Sequence, residues 1–302
     1  MRLHGVDILD TFAEAFPMTA ARVVVTAATS EWARIGATAA TGYASSVIGC
    51  DAEAGIEREL TPTETPDGRP GFSLLFFAFS RDALQKALVN RVGQSLLTCA
   101  TTAVYCGLPG DDGKSIRIGG NLRYFGDGWQ IGKQIDGKRY WRIPTMDGEF
   151  LCEDRFGTTK GVAGGNLIIA GESQSKTLAA AEAAVMAMRA IPGVLLPFPC
   201  GIVRSGSKVG SKYPALKAST NEAYCPTLCG VVKTELPEGA NAVYEIVIDG
   251  LALALVEQAM RDGILAACQC PGVLQITAGN YGGKLGPFHI RLHALLSGGV
   301  AC

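Results

Sequence analysis

Charge is scarce in this chain. Only 18% of its 302 residues are Asp, Glu, Lys or Arg, against the roughly one quarter usual in soluble domains. The formal net charge is −1, so no basic field draws the chain to nucleic acid. The thin charge fits a surface partly buried between subunits. Long apolar runs are missing too. The Ala-rich stretch from Leu178 to Met188 is interrupted by charge and falls short of the ~18 apolar residues of a membrane span. The N-terminus lacks the basic-then-apolar layout of an export signal, which predicts a cytoplasmic protein with reduced thiols. Histidine is rare, at three residues (His4, His289, His293), beside ten cysteines. Cys225 and Cys229 are four apart and Cys268 and Cys270 two apart; neither pair forms the knuckle of a zinc site, so no metal is expected. A cysteine nucleophile at Cys225 has no histidine near it in sequence. There is no Gly-x-Ser-x-Gly elbow, no Walker loop and no dinucleotide fingerprint after a strand.

What is present is a repeat. Ile191-Pro192-Gly193-Val194-Leu195 is followed by Ser205-Gly206-Ser207-Lys208-Val209-Gly210. Cys270-Pro271-Gly272-Val273-Leu274 is followed by Tyr281-Gly282-Gly283-Lys284-Leu285-Gly286. Each Pro-Gly-Val-Leu leaves a helix-like stretch and enters a strand-like one, and each strand runs on into a Gly-rich loop with one lysine. A duplicated unit places two such loops on related edges of a sheet, a natural frame for a cleft.

At roughly 100–200 residues per domain the length predicts two lobes. In the first half, Arg22 to Thr26 reads as a strand, Ser30 as an N-cap, and Trp32, Ile35 and Ala39 as the face of a helix ending near Gly42. Ser46 to Ile48 reads as a second strand and Glu53 to Gly71 as a long Pro-containing loop. A strand Phe72–Phe79, a cap at Ser80, a helix through Leu84, Leu88 and Val92 and a strand Leu96–Thr98 complete a second βαβ unit. From about 114 to 154, Gly119-Gly120, Gly126-Asp127-Gly128 and Asp136-Gly137 punctuate β-rich runs as hairpin signals, predicting a segment that caps or bridges the halves. The second half offers a strand Leu167–Ala170, a helix face of Leu178, Ala181, Val185 and Met188, and a strand from Leu195. A second copy follows, with a strand Tyr244–Ile248, a helix face of Leu253, Val256, Met260 and Ile264, and a strand Leu274–Thr277. Met186 and Met188 read as core filler. Two βαβ units of this size form a ferredoxin-like α+β sandwich with its helices on one face. The expectation is two such lobes, residues 1–155 including the hairpin segment and residues 156–302.

Glu245 is the leading candidate for chemistry. It interrupts the apolar strand Val243-Tyr244-Glu245-Ile246-Val247-Ile248. Alternation puts Glu245 and Val247 on one face and Tyr244, Ile246 and Ile248 on the other. If the Glu245 face is covered, desolvation raises its pKa and suits it to acid–base work; if it is an edge face, the carboxylate simply meets water. Lys208 and Lys284 sit in loops whose glycines let backbone approach a ligand, although a Gly-rich turn with a solvated lysine needs no ligand. Asn166 and Asn280 carry amides able to pair with a heterocycle edge or to brace a turn. Pro197-Phe198-Pro199 is either a stacking wall or a rigid bend.

Six segments in order sharpen this. They are Asp10-Thr11-Phe12-Ala13-Glu14-Ala15-Phe16, Ala52-Glu53-Ala54-Gly55-Ile56-Glu57, Thr65-Pro66-Asp67-Gly68-Arg69-Pro70-Gly71, Lys160-Gly161-Val162-Ala163-Gly164-Gly165-Asn166, Val243 to Gly250, and Thr277 to Gly286. Together they resemble the formylmethanofuran:tetrahydromethanopterin formyltransferases over nearly the whole chain. The near-neutral charge departs from the acidic methanogen members.

The resemblance implies two related α+β lobes and a homotetramer. It implies transfer of a formyl group between the amine of methanofuran and N5 of tetrahydromethanopterin. Both carriers act as co-substrates, with no tightly bound cofactor and no metal. The bacterial methylotroph relatives add a formyltransferase/hydrolase complex on the route from formaldehyde to formate. The family glutamate maps onto Glu245 as the catalytic residue; the candidates for carrier binding, Asn166, Ser207, Lys208, Asn280, Tyr281 and Lys284, come from the reading of the loops and asparagines themselves. Two other readings stand beside this one: a non-catalytic scaffold subunit of a formyl-handling complex, and a small-molecule-sensing module on ferredoxin-like lobes.

Overall fold

The computed structural model describes residues 1–109 and 114–297. The chain forms two compact units, Met18–Gly161 and Met1–Pro17 with Val162–Cys302. The units depart from a division at residue 155 because the N-terminus completes the C-terminal lobe. Val6–Ile8 pairs in parallel with Val273–Thr277, and Phe12 to Ala15 pairs with Phe288–Arg291. Such pairing across the whole chain leaves no local trace in sequence.

The valine-rich start of the Met18–Gly161 unit belongs to a long strand, β1 (Phe12–Thr26). It is followed by α1 (Ser30–Thr41), β2 (Glu53–Leu60), β3 (Gly71–Ala78), α2 (Arg81–Arg91) and β4 (Ala103–Cys106). The strands lie in the order β4-β1-β3-β2, every pair antiparallel. This is the ferredoxin-like arrangement. The α1 cap is Thr29, whose side chain accepts from the Trp32 N–H, not Ser30. The buried face of α1 is Ala33, Gly36, Ala37 and Ala40, while Trp32 and Ile35 are exposed, because small residues let the helix sit close on the sheet. The second strand is Glu53–Leu60, inside the expected loop, and Ser46 to Ile48 is irregular. The apolar Leu96 ends a wide helical turn after α2 instead of starting a strand. Ser80 does cap α2, accepting from the Ala83 N–H.

The hairpin segment forms β5 (Ile131–Ile135), β6 (Lys138–Thr145) and β7 (Gly148–Glu153), an antiparallel meander. β7 pairs in parallel with β4, so the segment extends the sheet of this unit. Asp136-Gly137 is its tight turn, both residues having positive φ. The other two Gly clusters belong to short helical turns, Gly119–Leu122 and Arg123–Gly126.

The second unit repeats the plan with β8 (Thr159–Gly171), α3 (Gln174–Arg189), β9 (Val194–Leu195), β10 (Ala242–Gly250), α4 (Leu253–Ala267) and β11 (Val273–Thr277). Its strand order is β11-β8-β10-β9, again antiparallel throughout. The expected helix faces hold: Ala181, Val185 and Met188 of α3 and Val256, Met260 and Ile264 of α4 are buried. Met186, by contrast, is exposed. The helices pack side by side where Gly263 faces Met188; a Cβ at 263 would lie 2.0 Å from the Met188 methyl carbon. Leu167, Ile169, Tyr244, Ile246, Ile248 and Ile276 meet these helices in one core.

The two Pro-Gly-Val-Leu copies share one conformation. Each glycine follows its helix with a left-handed backbone, φ +86° at Gly193 and +83° at Gly272. That geometry is open to glycine and strained for other residues. Among the described residues, no helix is long and apolar enough to cross a membrane, and no cysteine is in a disulfide.

Candidate active site

The alternation of β10 decides the placement of Glu245. Tyr244, Ile246 and Ile248 point into the helix-side core, so Glu245 lies on the opposite sheet face with Val243 and Val247. There it stands directly across from Ile168 of β8, which in turn lies across from Thr277 of β11. The chain between β9 and β10 returns over this face. Val203 and Glu245 exchange backbone hydrogen bonds, N–H to O at 2.7 and 3.0 Å. A cavity of about 40 Å³ remains between strand and covering segment, lined by Ile168, Val203, Gly206, Tyr224, Cys225 and Glu245.

The Glu245 carboxyl is partly buried there, and among the described residues no cation or hydrogen-bond donor meets it. Burial pushes its pKa up to about 7. Without a compensating charge, the neutral form gains at the expense of the anion. The carboxyl can therefore both take and give a proton near neutrality.

The Gly-rich loop after β11 owes its shape to a residue that the sequence did not single out. Glu14 of β1 is 2% exposed. Its Oε2 accepts from the N–H groups of Tyr281 (2.8 Å) and Gly283 (3.1 Å), and its Oε1 from those of Gly286 (2.8 Å) and Leu285. Burial opposes its ionisation, but the four backbone donors outweigh it and hold the carboxyl below the usual range. The signal in sequence was indirect: a glycine-rich run presents many N–H groups that a fold must satisfy.

The two asparagines brace the same loop. Asn166 Nδ2 donates to the carbonyls of Gly279 (3.1 Å) and Gly164 (3.3 Å), while its Oδ1 accepts from the Gly279 N–H at 2.6 Å. Asn280 Nδ2 donates to Thr11 Oγ1 and the Phe12 carbonyl, and its Oδ1 accepts from Gly282 N–H. Both amides are thus committed within the protein, as are the loop N–H groups of Tyr281, Gly282, Gly283, Leu285 and Gly286.

Tyr281 belongs to this loop and lies close enough to Glu245 to feel its charge. Its hydroxyl pKa is raised by burial, then by the negative charges of Glu245 and Glu14, so it stays a hydrogen-bond donor at neutral pH. Lys284 is exposed and has no ion-pair partner among the described residues. Ser207 and Lys208 lie in the strand Ser207–Val209, which pairs with Ala218–Thr220 in the covering segment. Ser207 is exposed, and Lys208 is ion-paired with Glu222. Phe198 is partly buried beside a short turn, Pro199–Gly201. Tyr224, which the sequence also left unmarked, lines the cavity, and burial pushes its hydroxyl pKa up while the Thr277 side chain pulls it back. Among the described residues no group of three or more His, Cys, Asp or Glu is arranged to hold a metal ion.

The comparisons with known proteins agree with this architecture. The family model described as formylmethanofuran-tetrahydromethanopterin formyltransferase matches residues 1–145, and that of the proximal lobe of the same enzyme matches residues 148–295. The chain is 58% identical over 300 residues to the formylmethanofuran–tetrahydromethanopterin formyltransferase of Methylococcus capsulatus, covering 98% of this chain and 100% of that one. Among solved structures it is similar to the formyltransferase/hydrolase complex of Methylorubrum extorquens with methylofuran, at 51% identity and a TM-score of 0.94 over 98% of both chains. It is also similar to the Methanosarcina barkeri formyltransferase, at 50% identity and a TM-score of 0.91, covering 98% of this chain and 100% of that one. By family model, sequence and fold, this chain belongs to the formylmethanofuran–tetrahydromethanopterin formyltransferases.

Proposed function

We propose that this chain transfers a formyl group between the amine of methanofuran, or a close analogue, and N5 of tetrahydromethanopterin, with Glu245 as its proton shuttle. The observation that carries the reading is the unpaired, partly buried Glu245 carboxyl, pushed up to about 7 at the edge of a cavity. Formyl transfer between two nitrogens is a direct displacement at a formamide carbon. The accepting amine attacks the carbon and forms a C–N bond, and the carbonyl oxygen takes up negative charge. Glu245 removes the proton from the attacking nitrogen. As the tetrahedral adduct collapses, the old C–N bond breaks and Glu245 returns that proton to the leaving nitrogen. A carboxyl poised near neutrality suits both halves, and such catalysis contributes typically ~10²–10⁴-fold. Holding both carriers together supplies the rest through positioning, ~7–11 kcal/mol in the best cases.

The donor we assign to the oxyanion is the Tyr281 hydroxyl, because the neighbouring loop amides are taken by Glu14 and Asn280. A fixed donor at developing charge lowers the barrier more than one reoriented from water. Asn166 and Asn280 serve the carriers by shaping the loop. Lys284, exposed, is assigned to the acidic tail of a carrier. Lys208 and Ser207 line the covering segment, where an anion recruits Lys208 by displacing Glu222. The cavity is far smaller than the ~300–1,000 Å³ of a ligand pocket, so the carriers enter only when the segment from Arg204 to Cys225 shifts.

We also place the chain in a larger assembly, as a homotetramer or a subunit of a cytoplasmic formyltransferase/hydrolase complex in methylotrophic one-carbon metabolism. Support comes from its similarity to the Methylorubrum complex and from exposed Tyr124, Phe125, Trp129, Ile131 and Met146 in the hairpin unit, since exposed apolar side chains in one segment suit an interface. The test of the activity is direct. The purified chain, given 5-formyl-tetrahydromethanopterin and methanofuran, yields formylmethanofuran; absence of transfer with the intact chain would favour the scaffold reading.

A further inference from the structure

We propose that Glu14 is a positioning residue for the transfer reaction: its buried carboxylate folds the loop from Tyr281 to Gly286 and so fixes where Tyr281 stands at the end of the strand row that carries Glu245. This rests on the reading of Glu245 given above.

The loop has almost no structure of its own. Five of its N–H groups, those of Tyr281, Gly282, Gly283, Leu285 and Gly286, are accepted by two side chains, Glu14 and Asn280. Among the described residues none of the five has a backbone acceptor. Glu14 reaches both ends of the loop, Oε2 holding the first half and Oε1 the second. The fit is tight: at Gly286 a Cβ would fall 2.2 Å from the Ala15 carbonyl oxygen, and at Gly283 one would fall 3.0 Å from the His289 ring. His289 is the cross-strand partner of Glu14, so loop, ring and carboxylate form one packed unit.

The charge matters as much as the shape. A carboxylate only accepts, which is what four converging N–H groups require; a glutamine of equal size turns an NH₂ toward two of them. A buried carboxylate without a cation is costly to fold, and no cation pairs with Glu14 among the described residues. A loop that served only as a turn needs no such group.

What the loop carries explains the need. It leaves β11 immediately after Thr277, in the same row as Ile168 and Glu245. Neighbouring strands are ~4.8 Å apart, which puts Thr277 only ~10 Å from Glu245 across the sheet. Gly279 is pinned to Asn166, one residue short of Asn280. Tyr281 therefore starts from a fixed point, and Glu14 sets its direction.

The experiment uses the full chain in four forms beside wild type: Glu14→Gln, Glu14→Asp, Tyr281→Ala and the double variant Glu14→Gln with Tyr281→Ala. Hydrogen exchange and formyl-transfer rates are measured on each. Expected for Glu14→Gln is at least tenfold faster exchange at Tyr281, Gly283, Leu285 and Gly286, with α3 and α4 unchanged, and at least a tenfold lower kcat. Glu14→Asp, still a carboxylate, recovers part of both, and it carries the test if Glu14→Gln does not fold. Because Glu14 acts through Tyr281, the double variant is within threefold of the slower single one. Losses that multiply, a wild-type rate for Tyr281→Ala, or unchanged loop exchange in Glu14→Gln would overturn the proposal. Failure of the Glu245 reading shows separately, as a wild-type rate for Glu245→Gln. Failure of this inference alone shows as an active Glu14→Gln beside an inactive Glu245→Gln.

Discussion

Asn166 and Gly279, 113 residues apart, exchange two hydrogen bonds: the Gly279 N–H donates to Asn166 Oδ1 at 2.6 Å, and Asn166 Nδ2 donates to the Gly279 carbonyl at 3.1 Å. A glycine backbone thus treats an asparagine side chain as a neighbouring strand. The pair fixes where the Gly-rich loop leaves β11. Asn166→Ala leaves both polar groups of Gly279 without partners in a part-buried setting, at a cost of about 1–3 kcal/mol. Urea denaturation of the two proteins measures it; a difference within 0.3 kcal/mol (about the limit of such comparisons) would contradict it.

Glu245 destabilises the folded chain above neutrality. Its folded pKa, about 7, lies above the ordinary 4.5, so between these values the native state binds more protons than the unfolded one. Stability from this group is full below pH 4.5 and is lost as pH rises through 7. Glu245→Gln removes that loss. At pH 8 the variant is more stable than wild type by no more than ~3 kcal/mol, and at pH 4 the two converge. Denaturation midpoints at the two pH values check the sign; a variant less stable than wild type at pH 8 would reverse it.

Gly193 and Gly272 occupy matching left-handed positions at the ends of α3 and α4. Alanine at either costs about 1–2 kcal/mol for the backbone alone. Position 272 adds a contact at 2.4 Å with Lys176 Cδ, tighter than the 3.0 Å contact with Leu255 at position 193. Thermal melts of both variants are expected to show lower midpoints, with Gly272→Ala the lower of the two.

Lys284→Ala separates binding from chemistry. The side chain is exposed and unpaired among the described residues, so stability stays within about 0.5 kcal/mol of wild type. The KM for one carrier rises severalfold while kcat holds, as expected when binding common to ground and transition states is removed. An unchanged KM for both carriers removes Lys284 from the carrier site.

The plan of the lobes was legible because it is periodic. The faces Ala181-Val185-Met188 and Val256-Met260-Ile264 declare two helices, and the Pro-Gly-Val-Leu repeat declares two matching helix exits. Legibility failed where small or polar residues carry structure. The α1 face of Ala33, Gly36, Ala37 and Ala40 has little apolar contrast, so Trp32 and Ile35, both exposed, drew the assignment to the wrong side. Glu53–Leu60 is a strand that alternates with charge, and the charge reads as a loop. In the site, Glu245 stood out because a carboxylate in an apolar strand demands an explanation. Glu14 did not, since its four donors come from a loop 267–272 residues away. The asparagines were noticed as amides beside glycines. Their partners, however, are the protein's own backbone, which spacing alone does not reveal.

The most direct test of the account is the pre-steady-state rate of formyl transfer by Glu245→Gln, measured with both carriers saturating. The glutamine keeps the shape of the site and the backbone bridge to Val203 but cannot shuttle a proton. The account predicts a rate at least ~100-fold below wild type, with loss of the wild-type pH dependence near 7. A rate within threefold of wild type, or an unchanged pH profile, would contradict the role of Glu245.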